Sequence, residues 1–156
     1  MKTEALLQKL RAFCAYRERC TKEVREKLRR LGAEEDQQAT ILQALSRDGF
    51  LDDQRFARLF VRSKFEHNGW GKVRIRAALR ERQVDSQQVD AALDEIIEED
   101  YLASIHKLTA KKAEELLAGR KTGVRIKVAA YLGQKGFESP LVWQAIEDYA
   151  NKKTLP

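Results

Sequence analysis

The sequence contains little proline, glycine or cysteine, and these shortages exclude several classes of protein. Two prolines and eight glycines in 156 residues are too few for a low-complexity chain, and 43% apolar residues are too many for a disordered one. Two cysteines are too few for a disulfide framework, and the five residues between Cys14 and Cys20 do not match a metal or redox pair. We therefore expect a folded, helix-rich protein in which both cysteines are buried free thiols.

Long apolar segments are also missing. No apolar run approaches the roughly 20 residues that cross a bilayer. The N-terminal residues lack the basic start, apolar stretch and small-residue cleavage site of a signal peptide. The sequence therefore predicts a cytoplasmic protein without a membrane partner.

The residue patterns that carry catalytic chemistry are absent as well. His67 and His106 have neither an HExxH context nor an acidic neighbour at metal-ligand spacing. The glycines form no phosphate-binding loop, and Ser63 and Ser104 lack the glycine-flanked turn of a catalytic serine. Paired carboxylates lie where helices are predicted to begin, which favours capping over acid or base catalysis. We expect no enzymatic activity, no metal and no cofactor.

The charge is basic overall and unevenly distributed. The formal net charge is +6 and the pI about 9.4. Residues 55–82 hold nine basic and two acidic residues, whereas residues 85–100 hold seven acids and no base. This pattern predicts a basic face that attracts polyanions and a separate acidic face, although an ordinary solvated helix surface would give a similar sequence.

Apolar residues three and four positions apart predict about nine helices and no strand, so the fold class is all-α. Glycines at five predicted helix ends are expected to adopt the left-handed conformation that closes a helix: Gly32, Gly49, Gly69, Gly119 and Gly136. Asp52 is expected to cap the fourth helix, with Leu51 and Phe56 forming a hydrophobic staple around its first turn.

An internal repeat is visible in the spacing of the apolar anchors Leu28, Leu79 and Leu132, which lie 51 and 53 residues apart. Four further columns of apolar residues keep the same offsets from these anchors: Val24, Ile75 and Val128; Ala33, Val84 and Phe137; Leu42, Leu93 and Ile146; Leu45, Ile96 and Tyr149. A longer helix precedes each repeated pair, at about residues 3–16, 52–67 and 99–118. The sequence predicts three tandem three-helix repeats (1–51, 52–98 and 99–156) stacked into an elongated, curved body.

Several motifs identify a known family. The first repeat carries a basic, capped helix start followed by leucine and glycine, formed by Arg17, Arg19, Cys20, Glu23, Val24, Leu28 and Gly32. The most specific segment is Gly49, Phe50, Leu51, Asp52, Asp53, Arg55, Phe56 and Ala57. A third group is Gly69, Gly71, Arg74, Ile75 and Leu79. Together these motifs resemble the RecX family, with two departures: Cys20 replaces a serine and Gln83 replaces a glycine.

The resemblance implies a monomeric protein that binds the RecA nucleoprotein filament in its groove and lowers its recombinase, ATPase and coprotease activities. The ATP chemistry would belong to RecA, and single-stranded DNA carried by the filament would be a further partner. Activation in place of inhibition stays open, as does the choice between capping filament ends and displacing subunits.

Basic residues of the last two repeats, together with one tryptophan, are the candidates for contact with the filament or its DNA. Trp70 lies between two glycines, where it is expected either to stack on a base, to contact a protein partner or to pack across its loop. Trp143 falls on the apolar face of the last helix and is expected to be buried. The candidate cations are Arg58, Arg62, Lys64, Lys72, Arg74, Arg76, Lys111, Lys112, Arg120, Lys121, Arg125 and Lys127.

Two other functions fit the same residues. Three-helix units with basic helices also resemble helix-turn-helix modules, so the protein could be a sequence-tolerant DNA-binding protein that acts without RecA. Such a protein would lose affinity steeply as salt rises. A helical-repeat adaptor that holds two protein partners is the second alternative, and it would be indifferent to both DNA and the filament.

Overall fold

Nine α-helices form the regular structure of the residues that this computed structural model describes, which are residues 1–153 and 155. No strand occurs within that part of the chain, which confirms the all-α prediction. The helices are α1 (Thr3–Tyr16), α2 (Thr21–Arg30), α3 (Glu35–Arg47), α4 (Asp53–Glu66), α5 (Lys72–Glu81), α6 (Ser86–Asp94), α7 (Glu98–Ala118), α8 (Val124–Lys135) and α9 (Ser139–Lys153).

The start of α4 is built as its sequence predicts. The Asp52 carboxylate accepts a hydrogen bond from the Arg55 amide at 3.0 Å, and the Asp52 carbonyl accepts one from the Phe56 amide at 2.9 Å. Leu51 and Phe56 are both buried, as expected for residues that clamp the first turn of a helix. The predicted cap is confirmed, and the burial of both Leu51 and Phe56 is consistent with the predicted staple.

Each repeated helix pair contains the same turn. Leu28, Leu79 and Leu132 are fully buried, and each of their carbonyls accepts a hydrogen bond from the amide five residues later, at 2.9, 3.2 and 3.2 Å. This is the hydrogen bond of a Schellman motif, which closes a helix and reverses the chain. The apolar anchors of the sequence repeat are therefore core residues in equivalent local geometry.

The left-handed residue in this turn is a glycine in two of the repeats and Gln83 in the other, with φ +56°. Because a side chain in this conformation crowds its own backbone, Gln83→Gly should raise the free energy of unfolding by about 1 kcal/mol. Thermal melting should show an increase of about 2 to 4 °C in Tm. Gln43→Gly, on the exposed side of α3, is the control and should lower stability by about 1 kcal/mol. A loss of stability in Gln83→Gly would contradict this assignment.

The end of α7 differs from its sequence prediction. Gly32, Gly49, Gly69 and Gly136 have positive φ angles as expected, but Gly119 has φ −81°. The left-handed residue is Arg120, with φ +54°, and the chain reverses there because the Lys121 amide donates to the Leu116 carbonyl. The prediction for Gly119 was wrong by one residue.

The chain divides into two compact units, and each has its own core. The first unit comprises Met1–Phe60 and Leu79–Ala92, and in it α1, α2 and α3 contact one another around Leu6, Leu10, Leu28, Ile41 and Leu45. The second comprises Val61–Ala78 and Leu93–Pro156, and in it α7, α8 and α9 surround Tyr101, Ile105, Val128, Leu132 and Ile146. The helices of the predicted central repeat are shared between the units, and the three repeat boundaries stay a prediction.

The prediction that Trp143 is buried was wrong, because its side chain is 46% exposed. The buried face of α9 is formed by Val142, Ala145, Ile146 and Ala150. Since one residue turns an α-helix by about 100°, Trp143 is rotated away from Val142 and toward the edge of this face. A tryptophan at the edge of an apolar stripe therefore stays in contact with solvent.

Both cysteines are buried free thiols, as predicted. Burial raises the pKa of the Cys20 thiol to about 11, so this thiol is protonated at neutral pH. Cys20 occupies the cap position of α2, where its side chain and its amide each lie 3.5 Å from the Glu23 carboxylate. The cysteine thus takes the structural place of the hydroxyl residue that usually begins such a helix.

Candidate functional site

The loop between α4 and α5 carries Trp70 and is fixed to the end of α8 within the second unit. The Gly71 amide donates to the Lys135 carbonyl at 2.7 Å, and the Val73 amide donates to the Gly136 carbonyl at 2.9 Å. The Lys135 ammonium donates in turn to the Asn68 carbonyl at 2.7 Å. Because its backbone is bonded in this way, the loop presents Trp70 from a defined position.

Two glycines allow the loop and the end of α8 to approach each other. A Cβ atom on Gly71 would lie 2.4 Å from the backbone carbonyl of Gly136. A Cβ atom on Gly136 would lie 2.3 Å from the Cβ of Arg74, and Gly136 also has φ +98°. Real Cβ atoms do not approach other heavy atoms this closely, so the contact requires glycine at both positions.

Tyr101 of α7 is hydrogen-bonded to the start of α5. Its hydroxyl accepts a hydrogen bond from the Lys72 amide at 3.0 Å and donates a short one to the Glu138 carboxylate. The side chain is 2% exposed, and burial together with the bond to Glu138 raises the pKa of the hydroxyl far above its usual range. Its ring contacts those of Phe65 and Phe137, with centroids 5.8 and 5.5 Å away. This hydroxyl therefore joins α5, α7 and the segment before α9.

Tyr101→Phe should lower the free energy of unfolding by about 1 to 3 kcal/mol, because it removes one partner from the Lys72 amide and one from Glu138 without leaving a large cavity. Chemical denaturation would measure the change. Tyr131→Phe is the matched control, since Tyr131 is half-buried and should tolerate the removal of its hydroxyl within about 0.5 kcal/mol. Equal effects of the two substitutions would show that the Tyr101 hydroxyl bonds are not stabilising.

Two of the predicted cations, Lys64 and Arg74, contact the Trp70 ring. We call these three residues the Trp70 cluster. The Arg74 guanidinium lies 4.0 Å from the indole centroid and the Lys64 ammonium lies 4.8 Å from it. Arg74 also donates to the Gln134 carbonyl at 3.3 Å and remains exposed. Cation–π contacts of this kind order long basic side chains. Packing across the loop is thus observed for Trp70, whereas stacking on a base or a partner stays a prediction.

The other central candidates differ in exposure and in the unit to which they belong. Arg58 and Arg62 are exposed residues of α4, but Arg58 belongs to the first unit and Arg62 to the second. Lys72 and Arg76 are half-buried on α5, and the Lys72 ammonium lies 4.8 Å from the Tyr101 centroid. Apart from Arg58, all the candidate residues lie in the second unit.

The cations of the third predicted repeat fall into two groups. Lys112 lies 5.0 Å from the Tyr131 ring centroid and 3.6 Å from Glu115, and Arg125 lies 3.2 Å from Glu147. These two are half-buried and hold neighbouring helices together. The exposed group is Lys111, Arg120, Lys121 and Lys127.

The structure also places residues that the sequence patterns did not reveal. Lys135, which fixes the Trp70 loop, was not among the candidates. A second basic and aromatic surface lies in the first unit, between α1 and α2, where Phe13 and Tyr16 accompany Lys9 and Lys27. The spacing of Lys9, Phe13 and Tyr16 on one side of α1 was the available signal.

Residues suited to other kinds of site are dispersed. In the part of the chain that is described, no three or more His, Cys, Asp or Glu side chains gather as they would around a metal ion. His106 contacts Asp148 at 3.1 Å and the Leu102 carbonyl at 2.8 Å, so both of its ring nitrogens have partners. None of the described helices combines the length and apolar character needed to cross a membrane.

Comparison of the fold with solved structures gives two close likenesses. The crystal structure of RecX from Lactobacillus salivarius has a TM-score of 0.84 at 22% sequence identity, and the match covers 94% of this chain and 95% of that one. A second structure, described as a crystal structure of regulatory protein RecX, has a TM-score of 0.83 at 23% identity and is matched over 71% of its length. These likenesses establish the fold.

Comparison of the sequence identifies the family. A family model described as RecX, second three-helix domain, matches residues 52–93. The regulatory protein RecX of Halorhodospira halophila is 33% identical over 144 residues, covering 90% of this chain and 85% of the relative. That of Amycolatopsis mediterranei is 30% identical, covering 90% and 83%. That of Oceanobacillus iheyensis is 30% identical, but this chain spans about half its length, with 50% covered. The chain therefore belongs to the RecX family of regulatory proteins.

Proposed function

We propose that this protein regulates the RecA recombinase by binding the filament that RecA forms on single-stranded DNA. Binding would lower the recombinase, ATPase and coprotease activities of the filament. The observation that carries the proposal is the Trp70 cluster, in which Lys64 of α4 and Arg74 of α5 contact an indole on a loop that is bonded to the end of α8. In this proposal the protein is a binding protein without a catalytic role or a cofactor, and the ATP chemistry belongs to RecA.

The contacts of the Lys64 and Arg74 side chains with the indole support a role in recognition. A long basic side chain loses conformational freedom when it binds a partner, at a cost of about 0.5 to 1.5 kcal/mol. The contacts of Lys64 and Arg74 with the indole restrict both side chains before a partner arrives. The cluster is therefore suited to contact carboxylates or phosphates on a filament surface with a reduced entropic cost.

The spread of exposed cations over several helices suits a partner whose subunits repeat along a filament. Exposed basic residues lie on α4, α5, α7 and α8, as well as in the loop before α8. Contacts that are weak one by one add through effective concentration when successive filament subunits present the same surface. This arrangement can give tight binding without a deep pocket.

Removing charge from Arg74 and Arg76 together should raise the protein concentration needed for half-inhibition of RecA ATP hydrolysis about tenfold, which corresponds to about 1.4 kcal/mol of binding free energy. The double variant Arg74→Gln/Arg76→Gln should keep its fold, because exposed or half-exposed substitutions change stability by about 0.5 kcal/mol. Arg25→Gln/Arg29→Gln, on the exposed face of α2, removes the same charge elsewhere and should leave inhibition unchanged. Full inhibition by the folded Arg74/Arg76 variant would overturn the assignment of this surface.

A DNA-binding role without RecA is the second candidate, and the net charge of residues 55–82 favours it. Binding driven by phosphates falls steeply with salt and does not require the recombinase. The two candidates therefore differ in whether inhibition of RecA occurs below the concentration at which naked DNA is bound.

A further inference from the structure

A groove between α1 and α2 in the first unit is lined by basic and aromatic residues that have no role in the filament proposal. Its volume is about 360 Å³. One wall is formed by residues of α1 that lie three or four positions apart. The other wall is formed by α2 and the segment before it. The residues lining it are Lys9, Ala12, Phe13, Tyr16, Arg19, Lys27 and Leu31.

The floor of the groove is flat and fixed. The Arg19 guanidinium lies 3.7 Å from the centroid of the Phe13 ring, and its Nε donates to the Phe13 carbonyl at 3.0 Å. Arg19 is only 9% exposed, and it also lies 3.6 Å from the Glu23 carboxylate. The guanidinium thus stacks over one face of the ring, and it shares the Glu23 carboxylate with Arg17, whose guanidinium lies 2.6 Å from that carboxylate.

Tyr16 provides an aromatic face that the fold does not cover. Its side chain is 85% exposed at the last residue of α1, beside the half-exposed Phe13. This ring contributes nothing to the core, so its contact with solvent leaves it available for stacking. Aromatic side chains next to cations are the stacking platforms of proteins that bind single-stranded nucleic acids.

The charge of the groove complements a phosphate backbone. Among the described residues that line it, three are basic and none is acidic. Arg19 is paired with Glu23, whereas Lys9 is exposed and Lys27 lies 5.6 Å from the Phe13 centroid. Lys9 and Lys27 therefore flank the aromatic floor as two cations for anionic groups.

We infer that this groove binds single-stranded DNA, with a base stacked on Tyr16 and the adjoining phosphates contacting Lys9 and Lys27. The planar surfaces favour a nucleobase over an acidic peptide, whose carboxylates would use the lysines but leave the exposed ring without a flat partner. The choice of DNA as the polynucleotide rests on the function proposed above. The groove belongs to the first unit, whereas every candidate cation except Arg58 belongs to the second.

The test is the affinity of the full chain for two labelled strands in the absence of RecA, measured by fluorescence anisotropy at low salt. One strand is a 15-mer of thymidine, and the other is a 15-mer of the same backbone without bases. We expect Tyr16→Ala to weaken binding of the thymidine strand about tenfold and to leave binding of the abasic strand unchanged. Tyr16→Phe should bind as the unmodified protein does, and Trp143→Ala, which removes another exposed aromatic ring, should have no effect.

The lysines are tested through the salt dependence of the same binding. For a single strand, the slope of log K against log salt should fall by about 0.7 for each phosphate that the variant no longer neutralises. Lys9→Gln and Lys27→Gln should each show this change, whereas Lys107→Gln, at an exposed position on α7, should not.

Equal affinity for the two strands, or an unchanged affinity in Tyr16→Ala, would overturn the inference. Binding of a poly-glutamate chain with the same dependence on Tyr16 would assign the groove to an acidic peptide and would overturn it as well. Because no recombinase is present, failure of this test leaves the filament proposal standing. Failure of the filament proposal would instead appear as unaltered RecA activity alongside Tyr16-dependent DNA binding.

Discussion

Gly136→Ala is expected to lower the free energy of unfolding by about 3 kcal/mol or more. The left-handed conformation at φ +98° costs a residue with a side chain about 1 to 2 kcal/mol. The added methyl group would also lie 2.3 Å from the Cβ of Arg74 and 2.6 Å from its amide nitrogen. Since both of those atoms belong to the start of α5, the backbone of α5 would have to move, and its bonds to the end of α8 would weaken.

Alanine substitutions at two other glycines separate the effect of backbone strain from the effect of the close contact with Arg74. Gly32 is the equivalent residue of the first repeat, with φ +80° and no atom within 4 Å of an added Cβ, so Gly32→Ala should cost about 1 kcal/mol. Gly133, inside α8, also has open space around it, and Gly133→Ala should stabilise by about 0.5 to 1 kcal/mol. Chemical denaturation of the three variants gives the comparison. If Gly136→Ala were no more damaging than Gly32→Ala, the close contact between α8 and α5 would not exist.

Leu79→Ala should destabilise the protein by about 2 to 5 kcal/mol, because it removes buried apolar surface and leaves a cavity. Leu79 is fully buried, and its carbonyl accepts the Val84 amide in the turn that all three repeats share. Leu59→Ala is the control, because Leu59 is 44% exposed on α4 and the substitution should cost less than about 1 kcal/mol. An unchanged melting curve for Leu79→Ala would contradict the placement of the repeat anchors in the core.

Local sequence signals predicted the helices well because the apolar period and the caps act over a few residues. The predicted helix over residues 3–16 has the bounds of α1, and those over 52–67 and 99–118 agree with α4 and α7 within one residue. Asp52 caps α4 as expected, since the interaction joins residues three apart. The anchor leucines are buried in all three repeats because each closes the same local turn.

The two wrong predictions concern the exact end of a helix and the exact width of a buried helix face. Arg120 takes the left-handed conformation although Gly119 precedes it, because the hydrogen bonds to the last carbonyls of α7 continue through the glycine. Trp143 lies at the edge of the buried face of α9, and the extent of that face depends on α7 and α8. Propensity and periodicity alone do not specify these limits.

The candidate site was predicted in composition but not in arrangement. The charge of residues 55–82 identified Arg74 and Lys64, yet their contact with Trp70 depends on a loop bonded to Lys135 and Gly136. Pairing across more than sixty residues has no local signature. For the same reason the sequence did not distinguish Arg125, which contacts Glu147, from the exposed cations near it.

The groove in the first unit was missed because its lining comes from two helices and the segment between them. Lys27 and Phe13 come together only after α2 has folded back along α1. Residues 9–31 hold nine basic and three acidic residues, but this excess does not show which of the cations share a face of the folded chain. Only the separation of charges in three dimensions leaves Lys9 and Lys27 beside the exposed Tyr16.

RecA ATP hydrolysis on single-stranded DNA, with this protein titrated in below the concentration of RecA, tests the proposed function most directly. The affinity of the protein for the same DNA without RecA must be measured under the same salt conditions. The filament proposal predicts inhibition at concentrations where binding to naked DNA is negligible. ATP hydrolysis that stays unchanged until the DNA itself is coated would contradict it, and would leave a basic helical protein that binds DNA on its own.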